Sequence, residues 1–265
     1  MAPAVLSNLV RFRWLATADS ARLARLYLLT FAFFAVSGTI AALVIQLELG
    51  DTSSRVVGSH RFGQLLTHHG LVMAFVILFP LIPAVLGQIA LPRAVGAAGL
   101  AGPAWNRAAW AMHLTGGAAV IAAVELGAYD GGWTMLMPAV DAALFVILTV
   151  GLLLVAVATL IINWSVAATI LSKRYRAVPM AGISVLAWFF LIGALVMILV
   201  SPIRCFTLIV QTLQQVGLTD FFSPDNPESI TRYQRLFWAY TGTAVAATII
   251  PAIGEIGRAS CRERV

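Results

Sequence analysis

Six apolar runs divide the chain, and the charged residues collect between them. The runs cover 26–47, 71–91, 108–124, 142–162, 180–200 and 236–254. Apolar residues are continuous within each run rather than alternating, which excludes strands with one wet face. A bilayer core of roughly 30 Å needs about 20 helical residues, and each run is that long or nearly so. A backbone facing lipid must satisfy its own hydrogen bonds, and a continuous apolar run does this as a helix. The pattern predicts an all-α, polytopic membrane helix bundle with six transmembrane helices within residues 1–254.

Composition agrees with that pattern. The chain is 60% hydrophobic and only 11% charged, with a mean hydropathy of +0.92. A water-soluble domain carries roughly 25% charged residues. The net charge of +6 therefore calls for no nucleic acid, because the basic residues do not gather with aromatics on one face. They alternate between sides. Arg11, Arg13, Arg22, Arg25, Arg93, Arg107, Lys173, Arg174 and Arg176 fall on one side, with Asp19 as its only acid. The other side holds Arg55, Arg61, Arg204, Arg232 and Arg235 against Glu48, Asp51, Glu125, Asp130, Asp141, Asp220, Asp225 and Glu228. The positive-inside rule then puts the N-terminus in the cytoplasm. The first 25 residues lack the apolar stretch of a cleavable signal. Sixteen arginines to one lysine point to a GC-rich bacterial gene, and so to a bacterial cytoplasmic (inner) membrane. Two cysteines, Cys205 and Cys261, make neither a disulfide framework nor a thiolate metal site.

The composition breaks at the end of the chain. Residues 255–265 read like a translated sequencing adaptor and are expected not to be native, with the gene continuing past residue 254.

Four histidines are the candidate chemistry. His60 reads as a solvated residue of an outer loop. His68 and His69 stand where the second span leaves the outer interface. They read either as interfacial polar residues or as ligands to a metal or a heme, since a neutral imidazole in a bundle can hold heme iron axially. Gly70 beside them would let a flat macrocycle approach the backbone. His113, inside the third span, reads as an interhelical hydrogen-bond partner or as a functional group. No Asp or Glu lies within a span, and Glu125 sits at an outer end. No phosphate loop, catalytic triad pattern or cluster of metal ligands is present in the sequence.

Several stretches taken together go further. Residues 18–30, ADSARLARLYLLT, are followed by QLLTHHGLVM at 64–73 and LGQIALPRAVGAAG at 86–99. Asn106 to Trp110 follow, then Gly131-Gly132-Trp133-Thr134 with Pro138. Phe221-Phe222 with Pro224, YQRLFW at 233–238, and Pro251 with Gly254 complete the series. In this order and spacing the chain resembles the first six of twelve helices of subunit I of the heme-copper respiratory oxidases, the cytochrome c oxidase subunit I family. The resemblance implies that His69, not His68, is an axial ligand of the low-spin heme, and so a ligand to heme iron. It implies electron transfer from cytochrome c or another donor towards oxygen in aerobic respiration. It also implies membrane lipid and the other oxidase subunits, II and III, as partners.

The same resemblance exposes departures. After Leu-Phe-Trp the family carries Gly-His-Pro-Glu-Val-Tyr; here Ala239 to Ala246 read AYTGTAVA. Gly242 stands at the copper-ligand histidine, Ala244 at the proton-path glutamate and Ala246 at the tyrosine. The family's proton-entry Asp and Asn fall on Gly99 and Gln88. The resemblance thus implies heme but leaves copper without its sixth-helix ligand, and no catalytic residue is assigned. A catalytically silent paralogue, acting as a membrane scaffold or a low-spin heme electron carrier, is the alternative. An unrelated six-helix transporter would instead show a solute site at broken helices.

Overall fold

The computed structural model of the chain describes residues 19–50, 56–136, 139–172, 177, 179–223 and 226–262. Arg11, Arg13, Asp51, Arg55, Pro138, Lys173, Arg174, Arg176, Pro224 and Asp225, which entered the reading above, lie outside them.

Six helices long and apolar enough to cross a membrane make up the bundle: α1 (Ser20–Gly50), α2 (Ser59–Val95), α3 (Pro103–Glu125), α4 (Ala142–Leu171), α5 (Val185–Gln215) and α6 (Pro227–Arg262). No strand occurs among the described residues. The protein is therefore an all-α, multi-pass membrane bundle. Most helices outrun their apolar cores because polar residues at their ends continue the helix. Helix α4 starts at residue 142, where the Asp141 carboxylate accepts from Leu144 N at 2.8 Å and caps the first turn.

The fifth span departs from the expected 180–200. Met180–Gly182 form a separate 3₁₀ turn, and α5 begins at Val185, capped by Ser184 Oγ. Pro179 precedes the turn with extended backbone. The helix then runs through Pro202 to Gln215. Arg204, expected in an outer loop, lies inside α5 and is 2% exposed. The uninterrupted apolar residues on both sides of it carry the helix past the charge.

Helix α2 is the centre of the bundle and touches all five others. It is continuous but not uniform, with π-helical turns at Val72–Leu78 and Ile82–Leu86. Pro80 and Pro83 lack the N–H that an α-helix would use, and a wider turn relieves the clash of each ring with the preceding turn. In the sequence, α3 packs on α4, α4 on α5 and α5 on α6. Helices α3 and α4 meet through Gly116 and Gly151. A Cβ on Gly116 would lie 2.6 Å from Gly151 O, and one on Gly151 would lie 2.9 Å from Gly116 O. Without a hydrophobic driving force between helices in lipid, such close backbone approach is a main source of packing energy. Helix α1 is the least covered and turns Leu29, Phe33, Val36, Ile40 and Leu47 outward.

Candidate functional site

The polar chemistry of the bundle concentrates where α1, the N-terminal turns of α2 and the C-terminal end of α3 meet. His69 is ten residues into α2, or about 15 Å along its axis. It is half-buried, and its Nδ1 lies 2.9 Å from the Gly38 carbonyl of α1. A carbonyl oxygen only accepts, so Nδ1 carries the proton. In the neutral ring Nε2 then keeps its lone pair, and it has no hydrogen-bond partner among the described residues. An imidazole whose other nitrogen donates to a backbone carbonyl is fixed in tautomer and orientation as a metal ligand.

His68 has a different task. It is buried at 4% exposure. Its Nδ1 donates to Glu125 Oε1 at 2.7 Å, and its Nε2 lies 3.3 Å from Ser37 Oγ. Glu125 also accepts from Arg61 Nη2 at 2.6 Å. One carboxylate at the end of α3 thus holds two side chains of α2, while His68 and His69 both reach α1. His60 is placed in the first turn of α2 rather than in a loop, and its Nδ1 lies 2.6 Å from Asp130 Oδ2. The segment linking α3 and α4 crosses over this end of α2. Gly132 N donates to Thr67 Oγ1 at 2.9 Å, and Asp130 packs on Gly63.

Gly70 does not leave its backbone open. A Cβ there would overlap Trp133, whose Cγ would be 2.7 Å away. The glycine admits an indole from the same crossing segment.

His113 sits in α3 with 0% exposure, and both ring nitrogens lack a partner. The interhelical hydrogen bond expected of it is not formed. The rings of Tyr27, Phe31 and Phe34 surround it at 5.8, 5.0 and 5.9 Å. Gln88 is likewise buried, with Nε2 and Oε1 unpartnered.

On α6, Gly242 faces outward, and a Cβ added to it would meet nothing within 4 Å. Ala246 is exposed as well, whereas Ala244 is fully buried in the main core cluster. The described residues bring no three His, Cys, Asp or Glu side chains together. These residues do not fit a copper ion. They do fit one axial contact to a heme, at His69.

The fold and this site define a polytopic helical membrane protein with a half-buried imidazole, His69, held on α1 through its Nδ1. The chain belongs to the family described as Cytochrome C and Quinol oxidase polypeptide I, which it matches over residues 22–258. It is similar to cytochrome c oxidase subunit 1 of Synechocystis, with 29% identity over 237 residues, 87% of this chain and 42% of that protein. The protein of the same name from Bacillus subtilis is 26% identical over 91% of this chain and 39% of its own length. That from Plasmodium berghei is 26% identical over 87% of this chain and 51% of its own. The chain therefore spans about half the length of the curated relatives it matches, or less, and corresponds to their N-terminal part.

Sequence reasoning had not found Gly38, Ser37 or the double role of Glu125. A carboxylate at the end of one helix, opposite a basic turn of another, was the available signal. It also missed the burial of Arg204, for which apolar residues on both sides of position 204 were the only sign.

Proposed function

We propose that the chain is the N-terminal part of a subunit I-like component of a heme-copper terminal oxidase, passing electrons from cytochrome c towards oxygen. The observation that supports this reading is the hydrogen bond from His69 Nδ1 to Gly38 O at 2.9 Å, which leaves Nε2 without a partner among the described residues. A bound low-spin heme would supply a one-electron carrier. The protein's own part is to orient His69, which the bond to α1 and the anchoring of the neighbouring His68 to α3 both do. The other oxidase subunits, II and III, an electron donor such as cytochrome c, and membrane lipid are the partners this reading implies. The loop charges support an N-terminus in the cytoplasm, and the sixteen arginines to one lysine support a bacterial inner membrane.

A second reading is favoured by Gly242, Ala244 and Ala246. Imidazole-held copper needs about three imidazoles, and α6 supplies none. In that reading the protein is a catalytically silent paralogue, either a scaffold or a low-spin heme electron carrier. We also hold residues 255–265 to be non-native, which reading the genomic gene across codon 254 tests directly.

The experiment uses the chain read in full from that gene, purified in detergent. Reduced-minus-oxidised spectra of the wild type should show a six-coordinate low-spin heme, and His69→Ala should abolish that signal while leaving the protein folded. An unchanged spectrum in His69→Ala sinks the ligand assignment. Oxygen uptake with reduced cytochrome c separates the two readings: turnover supports the oxidase, and a heme spectrum without turnover supports the silent carrier.

A further inference from the structure

A groove of about 620 Å³ runs along the flank of the bundle between α3, α4 and α5. These helices are long and apolar enough to cross a membrane, so the open side of the groove faces the bilayer. Its two ends differ in chemistry. One end is fixed where α3 begins and α4 stops. There Ala101 N donates to Thr169 Oγ1 at 2.8 Å, and Asn106 Nδ2 donates to Ala101 O at 2.9 Å. Two indoles line this end and stand clear of the bundle, Trp105 at 67% and Trp164 at 64% exposure. An indole, with an apolar body and one N–H, settles at the headgroup level of a bilayer. The other end is aliphatic, lined by Leu160 and Ile161 of α4 and Ile198 of α5.

Between the two ends lies Ser165, which lines the groove and is itself 3% exposed. A serine or threonine hydroxyl inside a helix commonly donates to the carbonyl four residues back. Thr159 and Thr169 of the same helix do so, at 2.8 and 2.6 Å. The Ser165 hydroxyl donates to nothing among the described residues. No water completes it in hydrocarbon, so its acceptor has to come through the groove. Its depth is defined as well. Helix α4 has 30 residues and is about 45 Å long against a core of roughly 30 Å, which leaves about 7 Å outside the core at each end. Ser165 is about 9 Å in from the end at Leu171. It therefore sits at the boundary of the core, where the ester groups of a phospholipid lie.

We propose that this groove binds one acyl chain of a phospholipid, with the ester carbonyl on the Ser165 hydroxyl, the headgroup level with Trp105 and Trp164, and the chain running towards Ile198. An ester oxygen only accepts, which suits a lone hydroxyl donor flanked by indole N–H groups. A second helix is a poorer occupant. Helices associate in lipid through small residues that let backbones approach, as Gly116 and Gly151 do, and two outstanding indoles prevent that. A single alkyl chain needs no such approach. The site rests on the membrane-spanning fold and not on the heme reading.

The probe is phosphatidylcholine brominated at mid-chain, titrated into the detergent-purified full chain, because bromine quenches an indole only at contact. Tryptophan fluorescence of the wild type should fall in two parts, a saturable one at low lipid and a linear one from lipid at large. Ala168→Phe fills the groove from a half-buried lining position, keeps both indoles, and should remove the saturable part. Ser165→Ala should keep that part and raise its half-saturation about fivefold, the worth of one neutral hydrogen bond. Purely linear quenching of the wild type overturns the site, and so does a saturable part that survives in Ala168→Phe. A Ser165→Ala curve that superimposes on the wild type overturns the ester contact. A brominated free fatty acid that saturates as tightly as the phospholipid overturns the choice of ligand. If Ala168→Phe does not accumulate, the double variant Trp105→Phe, Trp164→Phe carries the test. It removes the reporters beside the groove, and a saturable part that persists without them places the chain elsewhere and overturns the proposal.

Discussion

The N-terminal third of α2 and the outward face of α6 hold the two positions at which the resemblance places a metal-binding histidine, and they are built in opposite ways. Around His69 every neighbour is committed: Gly38 O takes Nδ1, Glu125 takes His68, and Trp133 fills the space beside Gly70. Around Gly242 nothing stands within 4 Å of where a side chain would start. A ligand that is retained comes with the supports that orient it, because an imidazole free to swing loses affinity. The difference is visible in local packing, without any metal in view.

The comparison breaks most sharply at Gly70. Gly70→Leu places four carbons where the Trp133 ring lies, so the crossing segment must lift from α2. Overpacking of this kind costs about 1–3 kcal/mol, and occasionally more. The lift also threatens the Gly132–Thr67 hydrogen bond. The melting temperature of the purified protein should fall by several degrees. A variant that melts with the wild type would show that the indole is not wedged against α2, and the N-terminal third would lose its claim to be tightly built.

A smaller loss is expected at Glu125. Its pair with Arg61 is 42% and 33% exposed, so water screens it and it contributes little by itself. The bond from His68 is different, because the imidazole is only 5% exposed. Glu125→Gln keeps the shape and removes the charge that both partners face. A hydrogen bond to a charged group is worth about 1.5–3 kcal/mol, and a glutamine oxygen retains part of it, so the net cost is about 1–2 kcal/mol. Arg61→Met should cost less than Glu125→Gln. The reverse order in thermal unfolding would mean that the exposed pair, not the buried histidine, ties α2 to α3.

The sequence made the six helices legible because apolar runs of membrane length have one physical outcome in lipid. It made the ends less legible, since where a helix begins depends on caps such as Ser184 that act within a single turn. Arg204 shows the limit most clearly. Counting charges assigned it to a loop, as a lone arginine between apolar runs usually deserves, but the cage of Phe75 and Phe237 comes from two other helices. His69 was legible through its motif, whereas its support was not, because Gly38 is 31 residues away and contributes only a backbone oxygen. His113 was expected to find a hydrogen bond, and the aromatic rings packed round it deny one.

The smallest effect is expected at Gly242, and it sharpens the comparison from the other side. Gly242→His adds an imidazole to an outward position of α6 with open space in front of it. Replacing a mid-helix glycine also recovers up to about 1 kcal/mol of backbone entropy, less the lower helix propensity of histidine. The melting temperature should stay within about 2 °C of the wild type, and the low-spin heme spectrum on His69 should not change. Copper measured by elemental analysis should remain well below one per chain, since one imidazole is not a copper site. A stoichiometric gain of copper in Gly242→His would mean that further imidazoles of the full chain already wait opposite α6. The position would then be one residue short of a site rather than abandoned, and the silent-carrier reading would fall.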